Sequence, residues 1–119
     1  MKTHASEILV YYNPQSARAR KVLAIARSIT PAVREVEYHK TPFTQMMWHQ
    51  LLAMLELRPK DLLNKSDSYY QENIKGRDFD AEGWLNILIN NPDLIKAPIA
   101  VRGNKAILCN SPNDVLQLQ

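Results

Sequence analysis

An abrupt change of pattern near the N-terminus constrains the fold of this chain most. The run Ile8-Leu9-Val10-Tyr11-Tyr12 is β-branched and aromatic, which predicts a buried strand. Asn13-Pro14 breaks this run. Apolar residues at helical spacing follow at Val22, Ile25, Ala26 and Ile29. The pattern therefore predicts a strand, a tight loop and a helix over about 17–28.

Ser16 lies where this loop meets the helix. In such a unit the loop N–H groups and the positive end of the helix dipole face outward together, which stabilises an anion or lowers the pKa of a cysteine. A serine hydroxyl stays protonated unless an adjacent base takes its proton, and the sequence places no base beside it. We therefore expect Ser16 to be the N-cap of the helix rather than a nucleophile.

The middle of the chain is predicted to contain a second strand followed by helices. The strand is expected over 33–38, and Thr44 is a suitable N-cap for a helix that Pro59 ends. A short helical piece is expected near Leu62. The polar stretch over 66–76 is expected to be the least regular part of the chain.

The C-terminal part is predicted to add a helix, a hairpin and a final helix. Asp80 is expected to cap the helix that carries Trp84. Two short apolar strands over 98–101 and 106–108 are expected to form a hairpin around Gly103-Asn104. The final helix is expected over 112–118. The predicted order is β-α-β-α-α-α-β-β-α.

Length and composition indicate one soluble domain. A chain of 119 residues suits a single domain over 1–119 with one hydrophobic core, and 45% hydrophobic with 23% charged residues is ordinary for a soluble protein. No apolar run approaches the length of a membrane span, and no apolar signal core precedes the first strand. We therefore expect a cytoplasmic protein without membrane contact.

Charge and metal-binding residue types exclude several functions. The net charge of +3 comes without the clustered basic stripes of a dedicated nucleic-acid binder. A lone Cys109 cannot form an internal disulfide or a CxxC pair and fits a reducing compartment. His4, His39 and His49 are widely separated and lack metal-ligand spacing. We therefore expect neither a metal nor a cofactor.

Several motifs in order give the chain a family resemblance. These are Asn13-Pro14 with Ser16 and Arg20, then Thr41-Pro42, then the run Leu94-Ile95-Lys96-Ala97-Pro98-Ile99. At this spacing the chain resembles the arsenate reductase (ArsC) and Spx family, a branch of the thioredoxin and glutaredoxin fold. The resemblance implies an α/β fold, with a mixed four-stranded sheet flanked by helices and an ArsC-type helical insertion. It also implies that Pro98 is the family's cis-proline beside the active loop.

The same resemblance shows departures at the positions that carry the family's reductase chemistry. That reaction uses a cysteine thiolate and three arginines that hold the oxyanion. Ser16 stands at the cysteine position, and the arginine positions fall on Asn64, Ala97 and Asn110. The resemblance therefore implies no catalytic residue and a vestigial loop formed by Asn13, Pro14, Ser16 and Arg20.

Three functional interpretations follow. In the first, the chain has lost thiol chemistry and acts by binding, with an unknown protein partner or a weakly held anion at the loop. In the second, it is an oxidoreductase in which Ser16 replaces a natural cysteine, or which acts on glutathione conjugates through Arg20. In the third, it is an Spx-like regulatory adaptor, although it lacks that branch's CxxC switch. The genomic codon for position 16 separates the first two.

Two groups of side chains leave their roles open. Arg18, Arg20 and Lys21 lie near the helix N-terminus, where cations oppose the helix dipole, so an anionic ligand or a neighbouring carboxylate should offset the cost. Tyr69-Tyr70 lies in the polar stretch and either anchors a partner or packs back on the domain.

Overall fold

Strand β1 (Ile8–Tyr12) lies inside a four-stranded sheet of order β2-β1-β3-β4. The computed structural model describes residues 3–119. The other strands are β2 (Val33–Glu37), β3 (Ile99–Arg102) and β4 (Lys105–Leu108). β1 pairs with β2 in parallel and with β3 antiparallel, and β3 and β4 are antiparallel. The expected mixed four-stranded sheet is confirmed.

Helices cover both faces of this sheet. The α-helices are α1 (Ala17–Ile29), α2 (Gln45–Leu55), α3 (Ser68–Asn73) and α4 (Ala81–Asn90). Three 3₁₀ helices span Pro59–Leu62, Pro92–Leu94 and Pro112–Leu118, and the last of these is called the C-terminal 3₁₀ helix below. α2, α3 and α4 follow one another between β2 and β3, as expected for a helical insertion.

The alternation of side chains along β1 produces two hydrophobic clusters, one on each face of the sheet. Leu9 and Tyr11 pack with apolar residues of α2 and α4. Ile8 and Val10 pack with α1 and the C-terminal 3₁₀ helix. Because both faces are covered, all five residues of β1 are buried, which explains its continuous apolar sequence.

The predicted helix starts are confirmed by their cap hydrogen bonds. The Ser16 hydroxyl accepts from the Ala19 N–H, and the Thr44 hydroxyl accepts from the Met47 N–H. The Asp80 carboxylate accepts from the Gly83 N–H at the start of α4. Each cap satisfies one backbone donor that the first helical turn leaves unpaired.

The expectation that 66–76 is the least regular stretch is wrong. Residues Ser68–Asn73 form α3, because the Asp67 carboxylate caps the helix by accepting from the Tyr69 N–H at 2.8 Å. Tyr70 and Ile74 are buried in the same hydrophobic cluster as α2 and α4, so packing fixes a segment whose composition is mostly polar.

The C-terminal hairpin forms where it was predicted. Gly103 adopts the left-handed conformation with φ +60 between β3 and β4. Its N–H donates to the Thr3 hydroxyl at 2.9 Å, which ties the turn to the start of the chain. The predicted final helix is present as the C-terminal 3₁₀ helix, whose first position is Pro112.

Aromatic rings fill the cluster between β1 and α2. The ring of Tyr11 stacks on Phe43 with centroids 4.0 Å apart and lies 4.5 Å from the ring of Tyr38. Trp48 meets Tyr11 edge-on at 5.6 Å. Trp48 and Trp84 are both buried and belong to the core on this face of the sheet.

Substitution of Leu51 tests the importance of this cluster. Leu51 on α2 is fully buried. Leu51→Ala should lower the free energy of unfolding by about 2–5 kcal/mol, because it removes apolar contacts and leaves a cavity. Leu116→Ala is the matched control, since Leu116 is 41% exposed and should change stability by about 0.5 kcal/mol or less. Urea unfolding followed by tryptophan fluorescence measures both, and equal losses would contradict the packing described here.

Candidate functional site

The loop between β1 and α1 is held by its own hydrogen bonds. The Asn13 side-chain oxygen accepts from the Gln15 N–H at 3.0 Å, and the Asn13 carbonyl accepts from the Ser16 N–H at 3.0 Å. The Ser16 hydroxyl then accepts from the Ala19 N–H at 3.2 Å. Ser16 is therefore the N-cap of α1, as the sequence predicted, and Asn13 sets the turn that precedes it.

Two backbone donors at this helix start remain free of protein acceptors. Within residues 3–119, the N–H groups of Ala17 and Arg18 have no hydrogen-bond partner. They point out of the first turn of a 13-residue helix, where the helix dipole is positive. This end of α1 can therefore donate to an anion.

A short segment before β3 faces the loop across a small cavity of about 80 Å³. The cavity is lined by Asn13 and Ser16 from the loop, by Tyr38 from the end of β2, and by residues 95–98. The structure thus brings Ser16 and the family position Ala97 together. The cavity holds no more than a few water-sized groups.

Tyr38 fixes the segment before β3. Its hydroxyl donates to the Ala97 carbonyl at 3.0 Å, and the pair is buried. Burial raises the pKa of Tyr38 far above its ordinary value, so the phenol remains a donor. This hydrogen bond joins β2 to the segment that forms the far wall of the cavity.

Arg18, rather than Arg20, reaches across the loop. The Arg18 guanidinium donates to the Lys96 carbonyl at 3.0 Å. Arg20, the residue that matches the family's arginine, is exposed and makes no side-chain hydrogen bond within the described part of the chain. The assignment of Arg20 to the vestigial loop therefore stays a prediction, while Arg18 is the arginine that contacts the segment before β3.

A second and larger cavity of about 530 Å³ lies beside the first. Asn64 and Asn110, two of the substituted family positions, both line it, together with Lys65 and Asp61. Lys96 lines both cavities. The structure therefore places Asn64, Ala97 and Asn110, the positions that the resemblance assigns to the family's arginines, on two cavities that share Lys96, and these positions carry two amides and an alanine.

Backbone pairing positions Asn64 at this wall. The Asn64 N–H donates to the Leu94 carbonyl at 2.6 Å, and the Lys96 N–H donates to the Leu62 carbonyl at 2.8 Å. The Asn64 side-chain oxygen accepts from the Ser66 hydroxyl at 2.7 Å. The side-chain oxygen of Asn64 is thus engaged in a local turn, while the residue still lines the larger cavity.

The expected cis bond before Pro98 is not found. No peptide bond between residues 3 and 119 is cis, so the bond from Ala97 to Pro98 is trans. Pro98 still lines the small cavity beside Ser16, and its carbonyl accepts from the Cys109 N–H at 2.8 Å. Pro14 is exposed and does not line the cavity.

Cys109 lies in the cluster on the α1 face of the sheet and is fully buried. Its thiol donates weakly to the Ile107 carbonyl at 3.9 Å. Burial raises the pKa of Cys109 to about 12, so the thiolate form is suppressed near neutral pH. Cys109 therefore behaves as a small hydrophobic residue of the core.

The remaining candidate residues, which are the histidines and the pair Tyr69-Tyr70, lie away from the two cavities or show no metal-binding arrangement in the described residues. His39 contacts Asp93 at 2.8 Å on the surface, and within the described residues no three His, Cys, Asp or Glu side chains form a metal-binding group. Tyr70 is buried whereas Tyr69 is 49% exposed, so one tyrosine of the pair packs back and the other stays accessible. None of the helices over 3–119 is long and apolar enough to cross a membrane.

The fold and the site together define a thioredoxin-like α/β protein whose helix N-terminus faces a proline-containing segment. A model of the ArsC family matches residues 11–118, so this chain belongs to the ArsC family. The family resemblance inferred from the motifs is confirmed.

Relatives of similar length support this assignment. The chain is 25% identical to the uncharacterized protein YfgD of Escherichia coli K12, over 94% of this chain and 96% of that protein. It is 26% identical to the arsenate reductase ArsI2 of Synechocystis, over 93% of this chain and 80% of that protein. The solved structure of an arsenate reductase from Vibrio cholerae has a TM-score of 0.86 at 22% identity, over 97% of this chain and 99% of that chain, which shows a shared fold.

Sequence reasoning missed three residues of the site. Tyr38 was expected only as a strand residue, although a tyrosine that ends a strand next to the loop is placed to hydrogen-bond across the sheet edge. Lys96 was read only as part of the proline motif. The role of Arg18 is left open by the sequence, because its contact with Lys96 spans 78 residues and leaves no local signal.

The raised pKa of Cys109 predicts a loss of stability at alkaline pH. Its pKa rises from the ordinary value of 9.0 to about 12 in the folded protein. Below about pH 9 both states are protonated and the stabilisation is fully present, whereas between about pH 9 and 12 the unfolded chain loses a proton that the folded chain retains. The free energy of unfolding should therefore fall as the pH rises through this window.

Urea unfolding at about pH 8 and about pH 10 checks this linkage. Cys109→Ala should show a smaller decline between the two pH values than the parent chain, whatever its stability at the lower pH. The tyrosines titrate in both proteins, so the difference between the two declines belongs to Cys109. Equal declines would mean that the thiol is accessible to solvent.

Proposed function

We propose that this ArsC-family chain has lost thiol-dependent arsenate reduction and acts by binding. The burial of Cys109, the one cysteine of the sequence, is the observation that carries this proposal. A nucleophilic thiolate must be accessible and must have a low pKa, and the environment of Cys109 gives the opposite of both.

The position of Ser16 supports the same proposal. Its hydroxyl accepts from the Ala19 N–H, and in the described residues no side-chain base hydrogen-bonds to it. Without a base, the hydroxyl stays protonated and is a poor nucleophile. The substitution keeps the helix cap of the family loop while it removes the group that forms a covalent intermediate.

Weak anion binding is the activity that the loop supports best. The free N–H groups of Ala17 and Arg18 supply neutral donors at a positive helix end. The guanidinium of Arg18, held near the Lys96 carbonyl, adds one positive charge. Since charge-assisted hydrogen bonds are about twice as strong as neutral ones, a site built mainly from amides should bind phosphate, sulfate or a carboxylate only weakly.

An arsenate reduction assay tests the loss of chemistry. The purified chain should show no turnover with glutathione and glutaredoxin or with a thioredoxin system. Ser16→Cys should give a thiol with a pKa below the free value of about 8.5, because the helix N-terminus stabilises the thiolate. The variant should still not reduce arsenate, because Asn64, Ala97 and Asn110 supply no cation to the oxyanion. Turnover by the parent chain above a protein-free blank would overturn the proposal.

A phosphate titration followed by NMR tests the anion site. The amides of Ala17 and Arg18 should shift with phosphate concentration, because their N–H groups have no acceptor in the protein. Arg18→Gln should weaken this response. Arg20→Gln removes the same charge from the same helix turn and is the matched control, since Arg20, unlike Arg18, makes no side-chain hydrogen bond to the segment before β3.

Two results of the phosphate titration would contradict anion binding at the loop. Uniform shifts over the whole surface, or none at Ala17 and Arg18, would reduce the loop to a helix cap. Equal weakening by the two arginine variants would mean that net charge, rather than the contact of Arg18 with Lys96, governs the response.

A further inference from the structure

Helix α1 carries an unusual distribution of charge. Its sequence contains Arg18, Arg20, Lys21 and Arg27 and no carboxylate. Arg18 and Arg20 lie in the first turn, and Lys21 follows directly. Cations at a helix N-terminus oppose the helix dipole, so this arrangement weakens the helix unless an anionic group offsets it.

Only half of these cations have partners inside the protein. Arg18 donates to the Lys96 carbonyl, and Arg27 pairs with Glu35 at 2.7 Å. Arg20 and Lys21 are exposed, and neither takes part in an ion pair or a side-chain hydrogen bond within residues 3–119. Nothing in the described structure offsets their unfavourable position.

A groove of about 420 Å³ begins at Lys21 and runs between α1 and the C-terminal 3₁₀ helix. Ala24 and Ile25 form one side, and Pro112 and Asn113 form the other. Lys21 lines this groove together with its apolar residues and makes no ion pair within residues 3–119. The surface therefore combines apolar groups that can contact an aliphatic side chain with a lysine at one end of the groove.

Charged residues are also distributed unevenly along the whole chain, and the part that contains α1 has an excess of cations. The segment over 56–93 contains eight carboxylates and five lysines or arginines, whereas the rest of the chain contains four carboxylates and ten lysines or arginines. Most of the acidic segment belongs to the helices that pack on the α2 face of the sheet. The opposite face, which carries α1 and the groove, belongs to the basic part.

We propose that the groove between α1 and the C-terminal 3₁₀ helix docks an acidic segment of a partner protein that carries aliphatic side chains. Carboxylates of the segment contact Lys21 and Arg20, and its aliphatic side chains contact Ala24, Ile25 and Pro112. Binding offsets the conflict between these cations and the helix dipole. This surface is separate from the cavity at Ser16, so the inference does not depend on anion binding there.

The surface chemistry favours an acidic protein segment over a nucleic acid. The exposed residues of α1 include no aromatic ring on which a base could stack. The free cations are two adjacent side chains rather than a stripe that follows a phosphate backbone. The apolar groups of the groove match aliphatic side chains, which a nucleic acid lacks.

A designed peptide tests the proposal with the full-length chain. The probe is a peptide of about 15 residues that forms an amphipathic helix with leucines on one face and glutamates on the other. In an NMR titration the amides of Lys21, Ala24, Ile25 and Asn113 should shift together. A scrambled peptide of the same composition should bind about fivefold more weakly, because its leucines no longer share a face.

Charge reversal at the groove separates a binding role from a structural one. Lys21→Glu should weaken peptide binding about fivefold through charge repulsion, and Ala24→Asp should weaken it at least as much. Lys21→Glu should not lower the melting temperature, because a carboxylate near the start of α1 agrees with the helix dipole. Lys75→Glu is the matched control: Lys75 is exposed just after α3, and its substitution should leave the affinity within about twofold.

Four results would overturn the proposal. One is equal weakening by Lys21→Glu and Lys75→Glu, and another is a set of shifted amides that excludes the groove. A third is binding of poly-glutamate or of single-stranded DNA as tight as that of the amphipathic peptide, which would make the surface a general polyanion site. The fourth is concentration-dependent self-association through the same amides without peptide, which would assign the groove to a second copy of this chain.

Discussion

The burial of β1 on both faces is the constraint on which the rest of the structure depends. A strand with covered faces requires helices on each side, and the sequence supplies α1 on one side and α2 with α4 on the other. Because β1 lies between β2 and β3, its C-terminal end falls inside the sheet rather than at an edge. The loop that leaves it therefore lies beside the segment that precedes β3. The position of Ser16 therefore depends on the packing of Leu9 and Tyr11 as well as on the hydrogen bonds within the loop.

One buried hydrogen bond connects this packing to the site. The Tyr38 ring belongs to the aromatic cluster with Tyr11, while its hydroxyl holds the Ala97 carbonyl at the wall of the small cavity. A phenol does both because one end is apolar and the other is a donor. Any shift of the aromatic cluster would move the segment before Pro98 with it. The geometry around Ser16 is therefore maintained by residues that have no chemical role.

The features that can be predicted from the sequence are those that depend on residues close together in the chain. The caps at Ser16, Thr44 and Asp80 and the turn at Gly103 were predictable because each involves residues a few positions apart. Helix α3 was missed because Tyr70 is fixed by distant packing rather than by an apolar pattern. The contact of Arg18 with Lys96 was missed for the same reason. The family's motifs located the loop and its facing segment, but not the side chains that join them.

Ser16 caps helix α1 but carries a hydroxyl where a cysteine would carry a thiol. A helix N-terminus stabilises negative charge, so it favours a thiolate, but it gives a neutral hydroxyl only a hydrogen bond from the Ala19 N–H. The cap preserves the helix start and leaves the N–H groups of Ala17 and Arg18 without a protein acceptor in the described residues. Positive charge near this helix start is carried by Arg18, Arg20 and Lys21 of α1, and the residues that line the two cavities add Lys65 and Lys96. The side chains of Arg18, Arg20 and Lys21 are exposed, so the charge of α1 is presented to solvent, and this arrangement supports the proposed role in binding.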